Sequence, residues 1–78
     1  MQRMLFIVYP GFELLDLSGP ASVFNGANQV LDARGQRRRY AVDVASARGG
    51  PVASRCGIVV ETRDLGDAAS DGAGAPDL

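Results

Sequence analysis

Histidine, lysine and tryptophan are absent from this 78-residue sequence, and cysteine occurs once, as Cys56. Without histidine the chain has no imidazole base and no histidine-ligated metal site. One cysteine excludes an internal disulfide. The glycine pair Gly49-Gly50 does not belong to a G-x-G-x-x-G pattern that opens a helix, which argues against a phosphate cradle. We therefore predict no metal and no cofactor.

Long hydrophobic runs are also absent. The longest apolar run covers only the few residues before Pro10, whereas a membrane span needs roughly 18 and a signal peptide has a longer apolar centre and a cleavage site. The net charge of −1 gives no general attraction to nucleic acid or anionic membranes. With 46% hydrophobic and 22% charged residues the composition is globular. These features predict a soluble cytoplasmic protein that makes no membrane contact.

The stretch from Leu5 to Leu31 predicts a strand followed by a helix. The continuous apolar run Leu5 to Tyr9 is typical of a strand covered on both faces, as in a parallel sheet, and Pro10-Gly11 ends it. From Pro20 onwards, apolar residues at helical spacing predict one buried stripe; they are Ala21, Val23, Phe24, Ala27, Val30 and Leu31. Asp16 or Ser18 could cap this helix, Pro20 suits its first turn, and Gly35 offers a stop.

The remaining chain predicts a second strand and a hairpin. The segment 40–46 alternates and is expected to be a strand nearer the sheet edge than the first one, with the two strands parallel and their crossover right-handed. The segments 52–54 and 58–61 could form a small hairpin that projects from the sheet. A short helix or turn with Asp64 as a possible cap is expected within 62–69, followed by a small-residue linker at 70–76.

Four arginines, Arg34, Arg37, Arg38 and Arg39, follow the predicted helix. Cations near a helix C-terminus complement its dipole, and a solvated loop is the interpretation we prefer. A nucleic-acid patch is the alternative, but the run is short and has no interleaved aromatic residues.

The all-apolar first strand predicts sheet neighbours on both sides and helices on both faces, which the residues present cannot supply. We therefore interpret residues 1–78 as the N-terminal part of a larger α/β domain. The alternative is a complete small α+β domain that is stabilised as a dimer.

Three segments, in their order along the chain, resemble the start of the ThiJ/PfpI group of the class I glutamine amidotransferase-like superfamily. They are VYPGFELLDLSGPASVFNGAN, YAVDVAS and GGPVASRCGIVV. The chain is most similar to the N-terminal domain of AraC-type transcriptional regulators. The resemblance implies a flavodoxin-like three-layer sandwich with a parallel sheet, of which this chain holds the first βαβ unit and a small hairpin. It also implies a small-molecule ligand, a homodimer at full length, and DNA binding only through helix-turn-helix units that are absent from residues 1–78.

Asp16 is the candidate catalytic or ligand-binding residue. It matches the acidic position that, in catalytic members of the group, points at the nucleophilic cysteine, and a carboxyl beside a thiol can share its proton or orient a ligand. Its alternative role is the helix cap described above. Gly11 and Phe12 are expected to line the mouth of a ligand pocket, or else to form a simple tight turn. Glu13 is interpreted as a solvated turn residue.

Cys56 is interpreted as structural, because it precedes a glycine and an Ile-Val-Val strand rather than a helix N-terminus. The resemblance places the nucleophile beyond Leu78, so these residues alone should be inactive.

Three hypotheses follow. The chain is part of a ligand-sensing domain of an AraC-type regulator, or part of a cysteine-dependent ThiJ/PfpI enzyme of the isonitrile hydratase or amidase kind. The third hypothesis is a dimerisation module without catalytic activity, or a translated gene fragment with no activity of its own. The coding sequence downstream of Leu78 separates them, through helix-turn-helix units, an elbow cysteine or a stop codon respectively.

Overall fold

The fold is a mixed arrangement of four strands and two helices, described by a computed structural model for residues 2–70. Along the chain the elements are β1 (Gln2–Ile7), α1 (Leu14–Ala33), β2 (Tyr40–Ser46), β3 (Gly50–Ala53), β4 (Val59–Asp64) and α2 (Leu65–Ser70). The α/β class predicted from the sequence is confirmed. The predicted linker at 70–76 lies almost entirely outside the described residues.

The four strands form one sheet in the order β1-β2-β4-β3. β1 and β2 are parallel, with Gln2 opposite Tyr40 and Ile7 opposite Ala45, which confirms the predicted parallel pair. β3 and β4 form the predicted antiparallel hairpin. The hairpin does not project from the sheet, however, because β4 also pairs in parallel with the end of β2. The sequence pattern could not show this second pairing.

The prediction that the second strand lies nearer an edge than the first is wrong for the described residues. β2 has a neighbour on each side, whereas β1 has β2 alone and is an edge strand within residues 2–70. Two apolar side chains at the end of this edge are largely exposed, since Ile7 and Tyr9 retain 59% and 66% of their accessible surface. The apolar character of β1 therefore exceeds what its neighbours in this part of the chain bury.

Helix α1 begins earlier than predicted. Glu13 occupies the N-cap position, without a side-chain hydrogen bond to the helix, and the first helical residue is Leu14. Asp16 and Ser18 lie inside the helix, so neither is its cap, and Pro20 is an interior residue rather than part of the first turn. The proline lacks the N–H that would bond the carbonyl four residues earlier, yet the helix continues through it.

The C-terminal end of α1 agrees with the prediction that Gly35 stops the helix. Gly35 has a φ of 70°, in the left-handed region that favours glycine. Its N–H donates to the carbonyl of Asp32 at 3.0 Å, and the N–H of Gln36 donates to the carbonyl of Leu31 at 2.8 Å. This pair of bonds is a Schellman motif, which satisfies two of the last helical carbonyls.

The buried stripe of α1 differs from the predicted one. Val23 and Val30, both assigned to it from their spacing, are 70% and 51% exposed. The covered face is centred instead on Leu17, Phe24 and Asn28, which recur at intervals of seven and four residues. Leu17 belongs to this covered face, although the predicted stripe, which was counted from Pro20 onwards, did not include it.

The hydrophobic core lies between α1 and the sheet near the carboxyl end of β1. Its buried members are Val8, Phe12, Leu17 and Val52, with Phe6, Leu14, Val44 and Val60 packed against them. The other face of the sheet carries an ionic group in which Asp43 accepts from both Arg3 and Arg63. The second long helix that the apolar first strand predicted on this face does not occur within residues 2–70.

The short helix α2 confirms the element predicted within 62–69, displaced by a few residues. The Oδ1 atom of Asp64 accepts from the N–H of Asp67 at 3.2 Å, which is the capping role predicted for Asp64. Ala45 on β2 and Ala68 on α2 are both completely buried.

Within residues 2–70 neither helix is long and apolar enough to span a membrane.

Asn28 joins the middle of α1 to the start of β2. Its Nδ2 donates to the carbonyl of Tyr40 at 2.7 Å, and its Oδ1 accepts from the N–H groups of Arg39 and Tyr40 at 3.2 and 3.1 Å. The side chain is buried, and the ring of Tyr40 packs on Phe24 with centroids 5.0 Å apart. These contacts fix where the chain enters β2 relative to the helix.

We predict that Asn28→Ala lowers the free energy of unfolding by about 2–3 kcal/mol, because it removes three hydrogen bonds and leaves partly buried backbone groups of Arg39 and Tyr40 without these partners. Asn25→Ala is the matched control, since Asn25 is exposed on the same helix and should change stability by less than about 0.5 kcal/mol. Urea denaturation followed by circular dichroism measures both. Equal effects of the two substitutions would contradict this role of Asn28.

Candidate functional site

A small pocket opens where β1 ends and α1 begins. Its volume is about 120 Å³. The lining residues come from the end of β1, the following turn and the first turn of α1; they are Phe6, Ile7, Val8, Tyr9, Phe12, Glu13, Asp16 and Leu17. This is the carboxyl end of a parallel strand, where open α/β sheets bind their ligands. We call it the β1 pocket.

The turn between β1 and α1 is held by the β3–β4 hairpin. The N–H of Gly11 donates to the carbonyl of Ala53, and the N–H of Arg55 donates to the carbonyl of Phe12, both at 2.8 Å. Phe12 also forms an isolated parallel bridge with Ser54. The tight turn predicted at Pro10-Gly11 is present, with Gly11 at a φ of 85°. Two separate parts of the chain therefore fix this wall of the pocket.

The predicted site residues occupy different positions around the pocket. Phe12 is 4% exposed and is at once a core residue and part of the lining. Asp16 is exposed and contributes to the rim, together with Glu13. Gly11 shapes the turn but is not one of the lining residues. Ligand binding by Gly11, Phe12 and Asp16 stays a prediction.

Asp16 lies in the first turn of α1, where the positive end of the helix dipole favours a carboxylate. Its backbone N–H donates to the carbonyl of Glu13 at 3.0 Å, which fixes the chain at the helix start. The aromatic and aliphatic lining with two acidic side chains at its rim could hold a small, partly apolar molecule bearing a cationic or hydrogen-bond-donating group. The lining contains no cysteine, serine or threonine.

A second cavity of about 260 Å³ lies at the carboxyl ends of β1 and β2. Val8 and Tyr9 line both cavities, and this one adds Ser46 and Arg48 from the end of β2. Ser46 is buried, and its hydroxyl lies 2.6 Å from that of Thr62. The sequence interpretation missed this cavity. The available signal was the position of Ser46 at the end of a parallel strand and of Arg48 just after it, which places both at the same sheet edge as Tyr9.

Cys56 is exposed in the turn that joins β3 to β4. It therefore contributes no buried packing, contrary to the structural role favoured from the sequence. The hydroxyl of Ser54, 3.4 Å from its Sγ atom, and the backbone N–H of Ile58 lower the pKa of the Cys56 thiol from its usual value, and the charge of Glu13 opposes them. The setting stabilises the thiolate.

We predict that Ser54→Ala raises the pKa of Cys56, because the largest stabilising contact of the thiolate is removed. The thiolate fraction between neutral pH and the pKa then falls, and alkylation by iodoacetamide slows by about twofold or more while its pH midpoint moves upward. Ser18→Ala, an exposed serine on α1, is the control. An unchanged midpoint in Ser54→Ala would contradict the assignment.

The arginine-rich segment after α1 is exposed, as its interpretation as a solvated loop predicted. All four arginines, Arg34, Arg37, Arg38 and Arg39, are exposed. Arg38 pairs with Asp32, its Nη2 atom lying 2.9 Å from Oδ2.

Among residues 2–70, no group of three or more cysteine, aspartate or glutamate side chains could hold a metal ion.

Comparison with known proteins finds a relative in Streptomyces lividans, described as an uncharacterized protein in the cpoL 5′ region. It is 41% identical over 58 residues, which cover 74% of this chain. The matched part corresponds to only 37% of that protein, so the chain spans little more than a third of its relative's length. No family model and no solved structure matches the chain.

Proposed function

We propose that the chain is the N-terminal part of a ThiJ/PfpI-like, ligand-sensing domain of an AraC-type transcriptional regulator. The resemblance of its motifs to that group is one support. The relative that extends well beyond the matched residues is compatible with a larger domain. In this proposal the flavodoxin-like sandwich is completed by further chain, and a helix-turn-helix region outside residues 1–78 contacts DNA.

The observation that carries the proposal is the position of Asp16. The carboxylate lies at the rim of the β1 pocket, in the first turn after the first strand. It also lies at the end of β1, whose outer edge has no partner within residues 2–70. A parallel strand added at that edge would end beside Asp16 and enlarge the pocket.

The size of the pocket supports a sensing site shared with such a strand. About 120 Å³ is well below the roughly 300–1,000 Å³ of typical ligand pockets. In this proposal the described residues therefore supply one wall of the site and later sequence supplies the rest. The apolar lining would bind the body of a small ligand, and Asp16 would accept a hydrogen bond from its polar group.

The second candidate is a cysteine-dependent ThiJ/PfpI enzyme, such as an isonitrile hydratase or an amidase. The same exposed Asp16 favours it, because a carboxylate at this point could orient or protonate a reacting group beside a nucleophilic cysteine supplied by later sequence. In both cases we expect residues 1–78 alone to be inactive, since the resemblance places the nucleophile in later sequence.

Asp16→Asn in the full natural polypeptide tests the proposal. Binding to the DNA upstream of its own gene is measured by fluorescence anisotropy, and small molecules that raise the melting temperature are then titrated as effectors. We expect DNA affinity without effector to stay unchanged and effector affinity to fall about tenfold or more, because asparagine keeps an acceptor oxygen but loses the charge that strengthens a hydrogen bond to the carboxylate.

Glu13→Gln is the control at the same rim, and it should retain most of the effector response because Glu13 is interpreted as solvated. A polypeptide that binds no DNA, or an effector response unaffected by Asp16→Asn, would overturn the sensing proposal. Steady hydrolysis of amides or hydration of isonitriles that Asp16→Asn abolishes would favour the enzyme instead.

A further inference from the structure

An arginine-lined cavity lies between the last turn of α1 and the start of β2. Its volume is about 380 Å³, and its lining residues are Leu31, Gln36, Arg37, Arg38 and Arg39. Because β1 and β2 are parallel and the β1 pocket lies where β1 ends, the two cavities are at opposite ends of the strands. We call this cavity the arginine pocket. Its chemistry is independent of the function proposed for the β1 pocket.

The backbone that carries the three arginines is fixed at both ends. At the helix end, the N–H groups of Gly35 and Gln36 donate to carbonyls of α1. At the strand end, the N–H of Arg39 donates to Oδ1 of Asn28 at 3.2 Å, and the carbonyl of Arg39 accepts from the N–H of Gln2 at 2.7 Å. A loop fixed in this way loses less conformational freedom when its side chains bind a ligand.

The positive charge of the arginine pocket is only partly balanced. Arg38 pairs with Asp32, and its Nε atom lies 3.0 Å from Oδ2. The guanidinium groups of Arg37 and Arg39 form no ion pair with any residue in the range 2–70. Three cations and one carboxylate therefore leave two positive charges at one cavity without a counter-ion. Solvent weakens their mutual repulsion, and a bound anion of matching charge would relieve it.

We propose that the arginine pocket binds one dianionic phosphate group, either free or at the end of a small molecule. A phosphate monoester carries a charge of about −1.5 to −2 at neutral pH and three acceptor oxygens, which matches the two unbalanced charges. Each guanidinium can donate two parallel hydrogen bonds to phosphate oxygens, and the side-chain amide of Gln36 can donate another. Leu31 and the aliphatic parts of the arginine side chains offer an apolar surface to an organic substituent.

The same features argue against a nucleic-acid backbone as the ligand. An internal phosphodiester carries one negative charge, and proteins bind the backbone through many contacts spread along it. Here the three arginines line one cavity, no aromatic side chain is among the lining residues, and the net charge of −1 gives the chain no wider positive field. Charge concentrated at one point favours a single dianionic group.

The carboxyl end of α1 opposes anion binding, but by less than the arginines favour it. The helix dipole places about half a negative charge at this end. Two of the last carbonyls already accept from the N–H groups of Gly35 and Gln36. All three arginines are exposed to water, which weakens each ionic contact. We therefore expect a dissociation constant on the order of 0.1–1 mM.

Titration of the full natural polypeptide, followed by ¹H–¹⁵N NMR, tests the proposal. The probes are inorganic phosphate and adenosine 5′-monophosphate, and adenosine is the control without phosphate. We expect saturable shifts of the Nε–H signals of Arg37, Arg38 and Arg39 with both phosphates and none with adenosine. Tighter binding of the nucleotide than of phosphate would identify a phosphorylated molecule as the source, and weaker binding would identify free phosphate.

Two outcomes of this titration would overturn the proposal. The first is that neither phosphate shifts the arginine signals. The second is that a single-stranded oligonucleotide without a terminal phosphate shifts them at the same or lower concentration, because the pocket would then recognise a nucleic-acid backbone.

Matched variants separate the arginine pocket from the diffuse charge of the loop. Arg34→Gln removes an exposed arginine that does not line the pocket, and it should weaken phosphate binding less than twofold. Arg37→Gln removes a lining guanidinium and should weaken binding about five- to tenfold. Arg37→Lys keeps the charge but loses the planar pair of donors, and it should still weaken binding about threefold.

Binding that depends on total charge alone would give the opposite pattern. Arg34→Gln would then weaken phosphate binding as much as Arg37→Gln does, and Arg37→Lys would bind phosphate as the natural chain does. That result would overturn the proposal. Because both positions are exposed, we expect all three variants to keep the natural melting temperature, which circular dichroism measures.

Discussion

The hydrogen bonds of Asn28 are the constraint on which the described structure depends. One buried amide contacts the backbone of Arg39 and Tyr40 from the middle of α1, so the helix and the start of β2 are fixed to each other. With β2 placed, β1 pairs with it along its whole length, and β4 continues the sheet from the end of β2. A polar side chain in an otherwise apolar face specifies one docking geometry, since sliding the helix would leave these groups unsatisfied.

The same geometry positions the candidate site. Because β1 and α1 are both held to β2, the turn between them must bring Phe12 into the core and place Asp16 at the surface beside it. The β3–β4 hairpin then bonds to this turn through Gly11 and Phe12. The β1 pocket therefore results from the fold as a whole rather than from a single motif. Its acidic rim residues, Glu13 and Asp16, are the groups that could bind a polar part of a ligand.

Local patterns predicted much of this fold. Parallel β1 and β2, the hairpin, the Gly35 stop and the Asp64 cap all follow from nearby residues and are confirmed. The predictions were wrong where contacts between distant parts of the chain determine the structure. The start of α1 is set by the burial of Leu17 and Phe12, which overrides the preference of Pro20 for a first turn. Whether β1 is an edge strand depends on which other strands pair with β1 and β2, and the alternation of apolar residues within β2 carries no information about those pairings. For the site, the sequence indicated Phe12 and Asp16 but not the cavity beside Ser46, which requires two strand ends to meet.

The proposed larger domain requires β1 to be an inner strand of a wider parallel sheet in the natural protein. The N–H groups of Gln2 and Val8 point towards β2, so alternation turns those of Arg3, Leu5 and Ile7 to the outer edge. Amide hydrogen exchange of the full natural polypeptide, resolved by residue, tests the claim directly. If β1 is an inner strand, the amides of Leu5 and Ile7 will be protected as strongly as that of Phe6, which faces β2. Rapid exchange of the first two beside a protected Phe6 would show that β1 remains an edge strand and would contradict it.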